Sequence, residues 1–381
     1  MKKLKLRIPK FSLFKKYNYN INEIIGIKEK EKYILYPNKK LIRLYHDKLV
    51  SKALLSTYIP IEKAIFYSFE IEKSVIEKVN IDSFIETKVY EEGGVSETEE
   101  YIIKYKIIEL DDDKNVSIEI VIVSKTYFKN AFKYIIDDTG YIDYISFPAF
   151  AYESLYEEKI LKKANDLFVV LLKDKVFLTF YSEGNLVNIV TIAGGLDFVF
   201  EELKNLKIKN FDFEIFKKIL LKKGLNEIKY LNKEKIVLKK LQEKFIQFGD
   251  IINSQISSTV EKYKLDNIER IFITTEFGNV PNLEKFIENL LSIKTFNFEF
   301  YENYNLDKLE INPFLFLAML ETYCAYKNSN QEYNFSLFLR KPTFFYRPSG
   351  MLLLIFISSI ILSGAYPLYL YINGLIFKKK K

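Results

Sequence analysis

The chain has 381 residues, of which 49% are hydrophobic and 28% are charged. That length allows two or more domains, and that balance is typical of a globular rather than a disordered chain. The only cysteine, Cys324, excludes an internal disulfide framework, and the only histidine, His46, has no second histidine with which to form a zinc site. The net charge of +7 comes from lysines interleaved with glutamates, which argues against direct binding of nucleic acid.

The N-terminal part begins with a basic arm, residues 1–20, and continues into a region of short strands, residues 21–70, which we interpret as the first part of one lobe. Apolar runs at 24–27 and 32–36 are rich in isoleucine and tyrosine, so they predict strands. Residues 48–58 predict a short helix. No apolar segment follows the basic start, so no signal peptide is expected.

Residues 71–145 form a separate pattern that predicts a small inserted α+β module. Its centre is a hairpin around Asp111, Asp112 and Asp113, a dense carboxylate cluster that a solvated turn explains better than a catalytic site does. The elements expected in chain order are a helix at 74–87, strands at 100–110 and 116–123, a helix at 127–137 and a strand at 141–148.

Residues 146–340 alternate strands with helices and predict the remaining α/β core, which we assign to a second lobe. Cys324 lies in the last helix of this region, where a buried small hydrophobe is expected rather than a nucleophile. The predicted helices are 149–164, 197–206, 213–222, 233–263, 282–291 and 313–327, and the predicted strands are 166–180, 186–192, 270–275 and 296–301.

The C-terminal segment has no Asp, Glu, Lys, Arg or His between Arg347 and Lys378, a gap of 30 residues. A helix rises about 1.5 Å per residue and a bilayer core is about 30 Å thick, so roughly 20 residues suffice to cross it. We therefore predict a transmembrane helix at 348–372, followed by a basic tail at 373–381. A single tilted span is favoured over a re-entrant hairpin, which would have to break at 363–367.

The order of these elements resembles the actin-like fold of the PilM family of type IV pilus assembly and of the cytoplasmic part of GspL in type II secretion. It is also similar to the division protein FtsA, which shares an inserted module. The resemblance extends from residue 21 to about residue 340, and no single motif carries it. The segments that carry it are 104–123 with 125–132, 141–150, 169–184, 190–195, 271–274 with 280–283, and 333–339.

The resemblance implies a two-lobed, actin-like (ribonuclease H-like) α/β fold in which two hairpins hold the phosphates of a nucleotide. Three departures argue against nucleotide hydrolysis. Lys28 and Lys30 replace an Asp and a Gly of the first hairpin, residues 170–172 replace the Asp-x-Gly of the second, and residues 275–277 replace the glycines beside the adenosine. Weak remnants of a cofactor cleft are expected at Gly194, Gly195, Gly278 and Asn279, with no catalytic residue, no metal ligand and no cofactor.

By this resemblance the chain is expected to be a non-catalytic scaffold in a bacterial inner membrane, with one span and its large N-terminal domain in the cytoplasm. The expected partners are bitopic proteins similar to PilN, PilO or GspM, an assembly ATPase, a polytopic platform protein and the lipid bilayer. A homodimer is left open, as is the choice between a pilus, a secretion and a DNA-uptake machine. The alternative is a divergent actin-like or sugar-kinase-like ATPase, or an FtsA-like filament-forming membrane tether.

Overall fold

A computed structural model describes residues 20–36, 38, 40–45, 52–110, 114–206, 211–304, 311–340, 344 and 347–379. Four sequence interpretations lie outside these residues: the basic arm apart from Asn20, the histidine His46, the carboxylate cluster 111–113 and the last two lysines of the tail. Residues 20–338 form one compact unit, and the C-terminal residues from Leu339 belong to a second unit.

The first five-stranded sheet has the order β3-β2-β1-β4-β8. Strand β2 pairs with β1 in antiparallel fashion, and β3 pairs with β2 in the same way. On the other side, β4 is parallel to β1 and β8 is parallel to β4. The turn between β1 and β2 is tight, because Glu29 adopts a left-handed backbone with φ 53°. The strands are β1 (Asn20–Lys28), β2 (Glu31–Tyr36), β3 (Lys40–Arg43), β4 (Ala53–Tyr58) and β8 (Tyr144–Ser146).

Strand β4 corrects the described part, residues 52–58, of the helix that the sequence predicted at 48–58. All six of its residues are buried, and it has a parallel neighbour on each side. A parallel strand that is covered on both faces has a continuous apolar sequence rather than an alternating one. The pattern of this segment therefore could not separate a buried strand from a short helix.

The second five-stranded sheet repeats the pattern, with the order β11-β10-β9-β12-β13. Strand β10 pairs with β9 in antiparallel fashion, and β11 pairs with β10 in the same way. On the other side, β12 is parallel to β9 and β13 is parallel to β12. This duplication, two sheets with the same order and the same directions, confirms the predicted actin-like two-lobed α/β fold. The strands are β9 (Asp166–Leu171), β10 (Lys175–Ser182), β11 (Asn185–Ala193), β12 (Arg270–Thr275) and β13 (Lys294–Asn297).

The predicted single strand at 166–180 is wrong. Residues 172–174 form a turn, so β9 and β10 are an antiparallel hairpin within that range. Leu172 is almost fully buried, so the apolar sequence of β9 continues into the turn. A hydrophobicity pattern therefore does not reveal where the strand ends. The pair Lys173 and Asp174 was the available turn signal.

The inserted module is a three-stranded antiparallel sheet of order β5-β7-β6, made by β5 (Ile65–Glu72), β6 (Tyr101–Glu109) and β7 (Asn115–Ser124). Its sheet therefore starts before residue 71, the boundary predicted from the sequence. Two helices follow β5, namely α1 (Lys73–Ile76) and α2 (Ile81–Glu92). Ile85 and Val89 of α2 pack on alternate residues of β7, which closes a small core of its own.

The remaining helices connect and cover the two sheets. Helices α8 and α11 and strand β12 have the bounds predicted from the sequence, whereas the predicted helices 74–87, 127–137 and 149–164 are each divided in two. These helices are α3 (Lys125–Ala131), α4 (Lys133–Thr139), α5 (Pro148–Ala151), α6 (Glu153–Glu157), α7 (Leu196–Lys204), α8 (Phe213–Lys222), α9 (Lys235–Tyr263), α10 (Leu283–Leu291) and α11 (Pro313–Lys327).

Helix α11 packs on β1, β4 and β8 of the first sheet, although the sequence assigned the whole of 146–340 to the second lobe. It is apolar on nearly every face and buried along most of its length, as expected for a core helix. Asn312 caps it by accepting the N–H groups of Phe314 and Leu315. A Cβ at Gly26 of β1 would lie 2.4 Å from Met319 Sδ, so a glycine permits this close packing.

The segment after α11, residues 332–338, lies along β8. The backbone N–H of Phe335 donates to Ile145 O at 3.0 Å, and that of Ile142 donates to Phe338 O at 2.8 Å. The amide of Asn334 adds two bonds, accepting from Ile145 N at 3.1 Å and donating to Asp143 O at 2.9 Å. This part of the chain is thus bonded to the first sheet before the C-terminal unit begins.

The C-terminal helix α12 (Pro348–Lys379) is continuous through 363–367, including Pro367, so the structure has no re-entrant hairpin there. Its segment Pro348–Asn373 contains an 18-residue window with a mean hydropathy of 2.1 and is long and apolar enough to cross a membrane. None of the 18-residue window is buried within the structure. The hydroxyls of Ser358, Ser359 and Ser363 donate to carbonyl oxygens of their own helix, which suits an apolar environment.

Two buried carboxyl groups make the unfolding free energy of the 20–338 unit depend on pH. Glu321 of α11 is held by the hydroxyls of Tyr144 and Ser146, and burial raises its pKa to about 8. Glu119 of β7 accepts from Ser117 Oγ and from the backbone N–H of Ile189, and burial raises its pKa to about 7. Because both values exceed 4.5, the folded state binds more protons, and stability falls as the pH rises from about 5 through 8.

We therefore expect Glu321→Gln to flatten the pH dependence. Between pH 5.5 and pH 8.5 the wild-type chain should lose about 2–4 kcal/mol more unfolding free energy than the variant, since one pKa unit corresponds to about 1.4 kcal/mol. Urea unfolding in detergent, followed by circular dichroism at each pH, measures the difference. The control is Glu261→Gln on the exposed face of α9, which should follow the wild type. Equal pH slopes for all three chains would contradict the argument.

Candidate nucleotide cleft

The candidate site lies where three turns follow the central strands of the two sheets: the β1–β2 turn, the β9–β10 turn and the turn after β12. The carboxyl ends of parallel strands are where ligands bind in open α/β sheets. The predicted pairs Gly194–Gly195 and Gly278–Asn279 both lie here. The first pair contacts the β9–β10 turn, and the second belongs to the turn after β12.

The first turn uses its polar groups within the protein. Lys28 is partly buried, which lowers its pKa, and its Nζ lies 5.2 Å from the centre of the Tyr58 ring. The backbone N–H of Glu29 donates to Tyr134 Oη at 2.9 Å. The replacement of the expected Asp by Lys28 therefore puts a cation against a tyrosine face, and one turn amide is already bonded.

The second turn is joined to the start of α7 by backbone hydrogen bonds. Leu196 N donates to Leu172 O at 2.8 Å, Asp197 N donates to Lys173 O at 2.7 Å, and Gly194 N donates to Asp174 O at 3.0 Å. These N–H groups include the first of α7, the kind that binds phosphate in other proteins. In this chain the carbonyl oxygens of the turn satisfy them.

Gly195 is required by this packing. A Cβ at this position would lie 2.2 Å from Leu172 O and 2.5 Å from Lys175 N, both of which are backbone atoms. Gly194 has a left-handed backbone with φ 93°, which favours glycine over other residues. Both glycines thus have a structural reason that needs no ligand. Their predicted role as a cofactor remnant remains a prediction.

The turn after β12 is also closed on itself. Thr275 and Gly278 exchange two backbone hydrogen bonds of 3.1 Å, and Thr275 Oγ1 donates to Gly278 O at 2.7 Å. Asn279 Oδ1 accepts from Thr274 Oγ1 at 2.8 Å, and Asn279 Nδ2 donates to Glu299 Oε1 at 3.3 Å. The cofactor role predicted for Gly278 and Asn279 likewise remains a prediction.

An aromatic wall covers this turn. Phe277 packs edge-to-face on Phe213 of α8, with ring centres 5.6 Å apart. Lys217 Nζ lies 5.0 Å from the centre of the Phe277 ring, and Lys173 Nζ lies 5.0 Å from the centre of the Phe213 ring. Phe277 therefore occupies space between the turn and α8, where the resemblance to actin-like proteins would require room for a nucleoside.

Sequence reasoning named Glu276 only as one of the residues that replace glycines, and it did not single out the carboxylates of Glu62 and Asp174. Glu276 follows β12, and its pKa is raised to about 6 by burial and by the neighbouring charges of Glu62 and Asp174. Glu62 comes from the first lobe, in the short 3-10 turn after β4, whereas Glu276 and Asp174 come from the second lobe. Acidic groups from both lobes thus approach one another here, an arrangement that opposes a polyphosphate. The position of each of these residues in a turn that follows an apolar strand was the only signal in the sequence that could have identified them.

No group of His, Cys, Asp or Glu side chains within the described residues is arranged to hold a metal ion. Cavities of about 270, 400 and 340 Å³ occur elsewhere in the unit, and none of these three is lined by the four predicted cleft residues. Cys324 is buried, and burial raises the pKa of its thiol, as expected for a core side chain.

No protein-family model matches the sequence, and no curated protein matches it. Among solved structures, a PilM–PilN type IV pilus biogenesis complex is 10% identical with a TM-score of 0.48, over 78% of this chain and 94% of that chain. The ethanolamine utilization protein EutJ from Carboxydothermus hydrogenoformans is 7% identical, with a TM-score of 0.39 over 79% and 89%. An archaeal actin homolog is 9% identical, with a TM-score of 0.39 over 80% and 99%. Each is a similarity of fold.

Because backbone atoms surround Gly195, we expect Gly195→Ala to destabilise the 20–338 unit by at least about 2 kcal/mol, the cost of overpacking a site that cannot relax. The matched control is Gly94→Ala, whose Cβ would meet nothing within 4 Å. That control should cost only about 1 kcal/mol, for the left-handed backbone. Urea unfolding midpoints in detergent measure both effects. A Gly195 variant as stable as the control would show that the turn moves aside.

Proposed function

We propose that this chain is a non-catalytic, membrane-anchored scaffold of the inner-membrane assembly platform of a type IV pilus, type II secretion or DNA-uptake machine. The observation that carries the proposal is the internal closure of the candidate cleft. The amides of Leu196 and Asp197 are bonded to the β9–β10 turn, and the Phe277 ring lies against Phe213. These backbone N–H groups are therefore already paired within the fold and are not available to a phosphate.

The electrostatics of the cleft support the same proposal. Phosphoryl transfer needs metal ions and donors that stabilise negative charge. Here the first turn carries Lys28 in place of a metal-binding Asp, and the carboxylates of Glu62 and Glu276 are close enough to raise the pKa of Glu276. Lys173, the nearby cation of the second turn, lies over the Phe213 ring. The replacement of that Asp by a cation therefore disfavours a magnesium ion at the first turn.

The anchor is the second part of the proposal. Helix α12 exposes large apolar side chains along its length, including Leu352, Ile355, Ile360 and Leu370. A helix with this surface is stabilised by lipid rather than by water. We place α12 across a bacterial inner membrane, with residues 20–338 in the cytoplasm. Bitopic proteins similar to PilN, PilO or GspM, an assembly ATPase and a polytopic platform protein are the proposed partners.

The first test is a calorimetric titration of Mg-ATP into the full chain in lipid nanodiscs. We expect no saturable heat up to about 1 mM nucleotide, because the turn amides are bonded internally and Phe277 fills the space beside them. Titration of magnesium chloride alone is the control. A micromolar dissociation constant would contradict the proposal and would favour the alternative, an ATPase or an ATP-dependent filament former.

The second test concerns the anchor. The double variant Ile355→Asp, Ile360→Asp should leave the membrane fraction after a carbonate wash, since each Asp at a helix centre costs roughly 2.5–3.5 kcal/mol. It should also lose the bitopic proteins that copurify with the wild-type chain from native membranes. The matched control, Ile228→Asp with Ile236→Asp, changes two exposed isoleucines of the 20–338 unit and should stay in the membrane. Retention of the α12 variant would mean that another part of the chain, or a partner, is the anchor.

A further inference from the structure

A cavity of about 400 Å³ lies beside the last strand of the second sheet, between β12, β13 and α10. Its apolar wall consists of three phenylalanines. Phe272 and Phe296 stack across the two strands, with ring centres 5.5 Å apart, and Phe300 lies 5.3 Å from Phe272. Phe296 is 43% exposed, so part of this side chain is accessible to a ligand.

The polar lining of this cavity is acidic. It includes the carboxylates of Glu284, Glu299 and Glu302, and none of the three forms an ion pair with a described residue. Arg270, the cation of the lining, is already paired with another carboxylate. Its guanidinium donates to both oxygens of Asp166 at 2.7 Å and to Lys162 O. Burial, and next the charge of Glu302, raise the pKa of Glu299. The carboxyl groups of the cavity thus have no cation paired with them among the described residues.

Two oxygens of residues in this lining are shut off from solvent and have no donor. Glu284 Oε2 and Asn297 Oδ1 are buried, and no described residue donates a hydrogen bond to either. An unsatisfied buried acceptor costs about 1–3 kcal/mol, so such atoms call for a partner. The terminal torsion of a glutamate is broad and roughly two-fold, so either oxygen of Glu284 can turn towards the cavity.

We propose that this cavity binds a guanidinium group. Several N–H donors in a flat fork match carboxylates and an amide oxygen, and the flat cation also stacks on an aromatic face. Neither an anion nor a neutral apolar ligand would satisfy both the carboxylates and the rings. The inference is independent of the proposed scaffold function, because the cavity is lined by residues other than those of the cleft turns. The guanidinium comes either from an arginine side chain of a partner protein or from a free small molecule.

The test uses the full chain in nanodiscs and isothermal titration calorimetry with N-acetyl-arginine amide. The citrulline analogue is the neutral counterpart of the same shape. We expect saturable binding of the arginine compound only, weakened at least about tenfold, or about 1.4 kcal/mol, by Glu284→Gln and by Phe296→Leu. The control Glu261→Gln removes an exposed carboxylate of α9 that is not part of the cavity, and it should bind as the wild type does.

The source of the group is resolved by a second ligand, the peptide Gly-Arg-Gly with blocked ends. Tighter binding of the peptide than of the amino-acid amide would support a partner's arginine, and equal binding would support a small molecule. Thermal melts of each variant check that the fold is intact. The proposal is overturned if the arginine compound gives no saturable heat, if citrulline binds equally well, or if the folded Glu284 and Phe296 variants bind as the wild type does.

Discussion

The packing of α11 on the first sheet is the constraint on which most of the 20–338 unit depends. The helix is apolar on nearly all faces, so it can be stable only where neighbours cover it on every side. Gly26 allows β1 to approach Met319 of α11 closely. Glu321, on the same helix, accepts hydrogen bonds from the hydroxyls of Tyr144 and Ser146 in β8. One helix thereby fixes both an early and a late strand of a sheet whose residues are far apart in the sequence.

The cleft follows a second constraint, the closure of turns by their own backbone. In an actin-like fold the turns after the central strands are well placed to bind a ligand, because strand ends and helix starts leave N–H groups unpaired. Here carbonyl oxygens of residues 172–174 take up those groups, and Phe277 fills the space beside them. The same strand order is thus compatible with turns that are bonded to one another, which is why fold alone does not assign an activity.

The sequence predicted the fold class because hydrophobic periodicity and element order are distributed over the whole chain. It also placed helix α11 and strand β12 at their observed bounds, since each is delimited by clear signals, such as the Asn312–Pro313 start of α11. It failed at β4, where burial on both faces removes the alternation on which strand prediction relies. It also missed the approach of Glu62 to Glu276, because these residues come from different lobes and only the tertiary structure brings them together.

Strand β11 is the last strand of the second sheet, so one of its sides has no strand neighbour. The carboxyl of Glu119 in the inserted module lies close to the backbone N–H of Ile189 in this strand. Unpaired sheet edges can recruit strands from other molecules and so promote aggregation. The module thus places an acidic side chain beside an edge strand, and charged side chains at sheet edges oppose pairing with strands of other molecules. A chain that carried the second sheet without the module would need another device for that purpose.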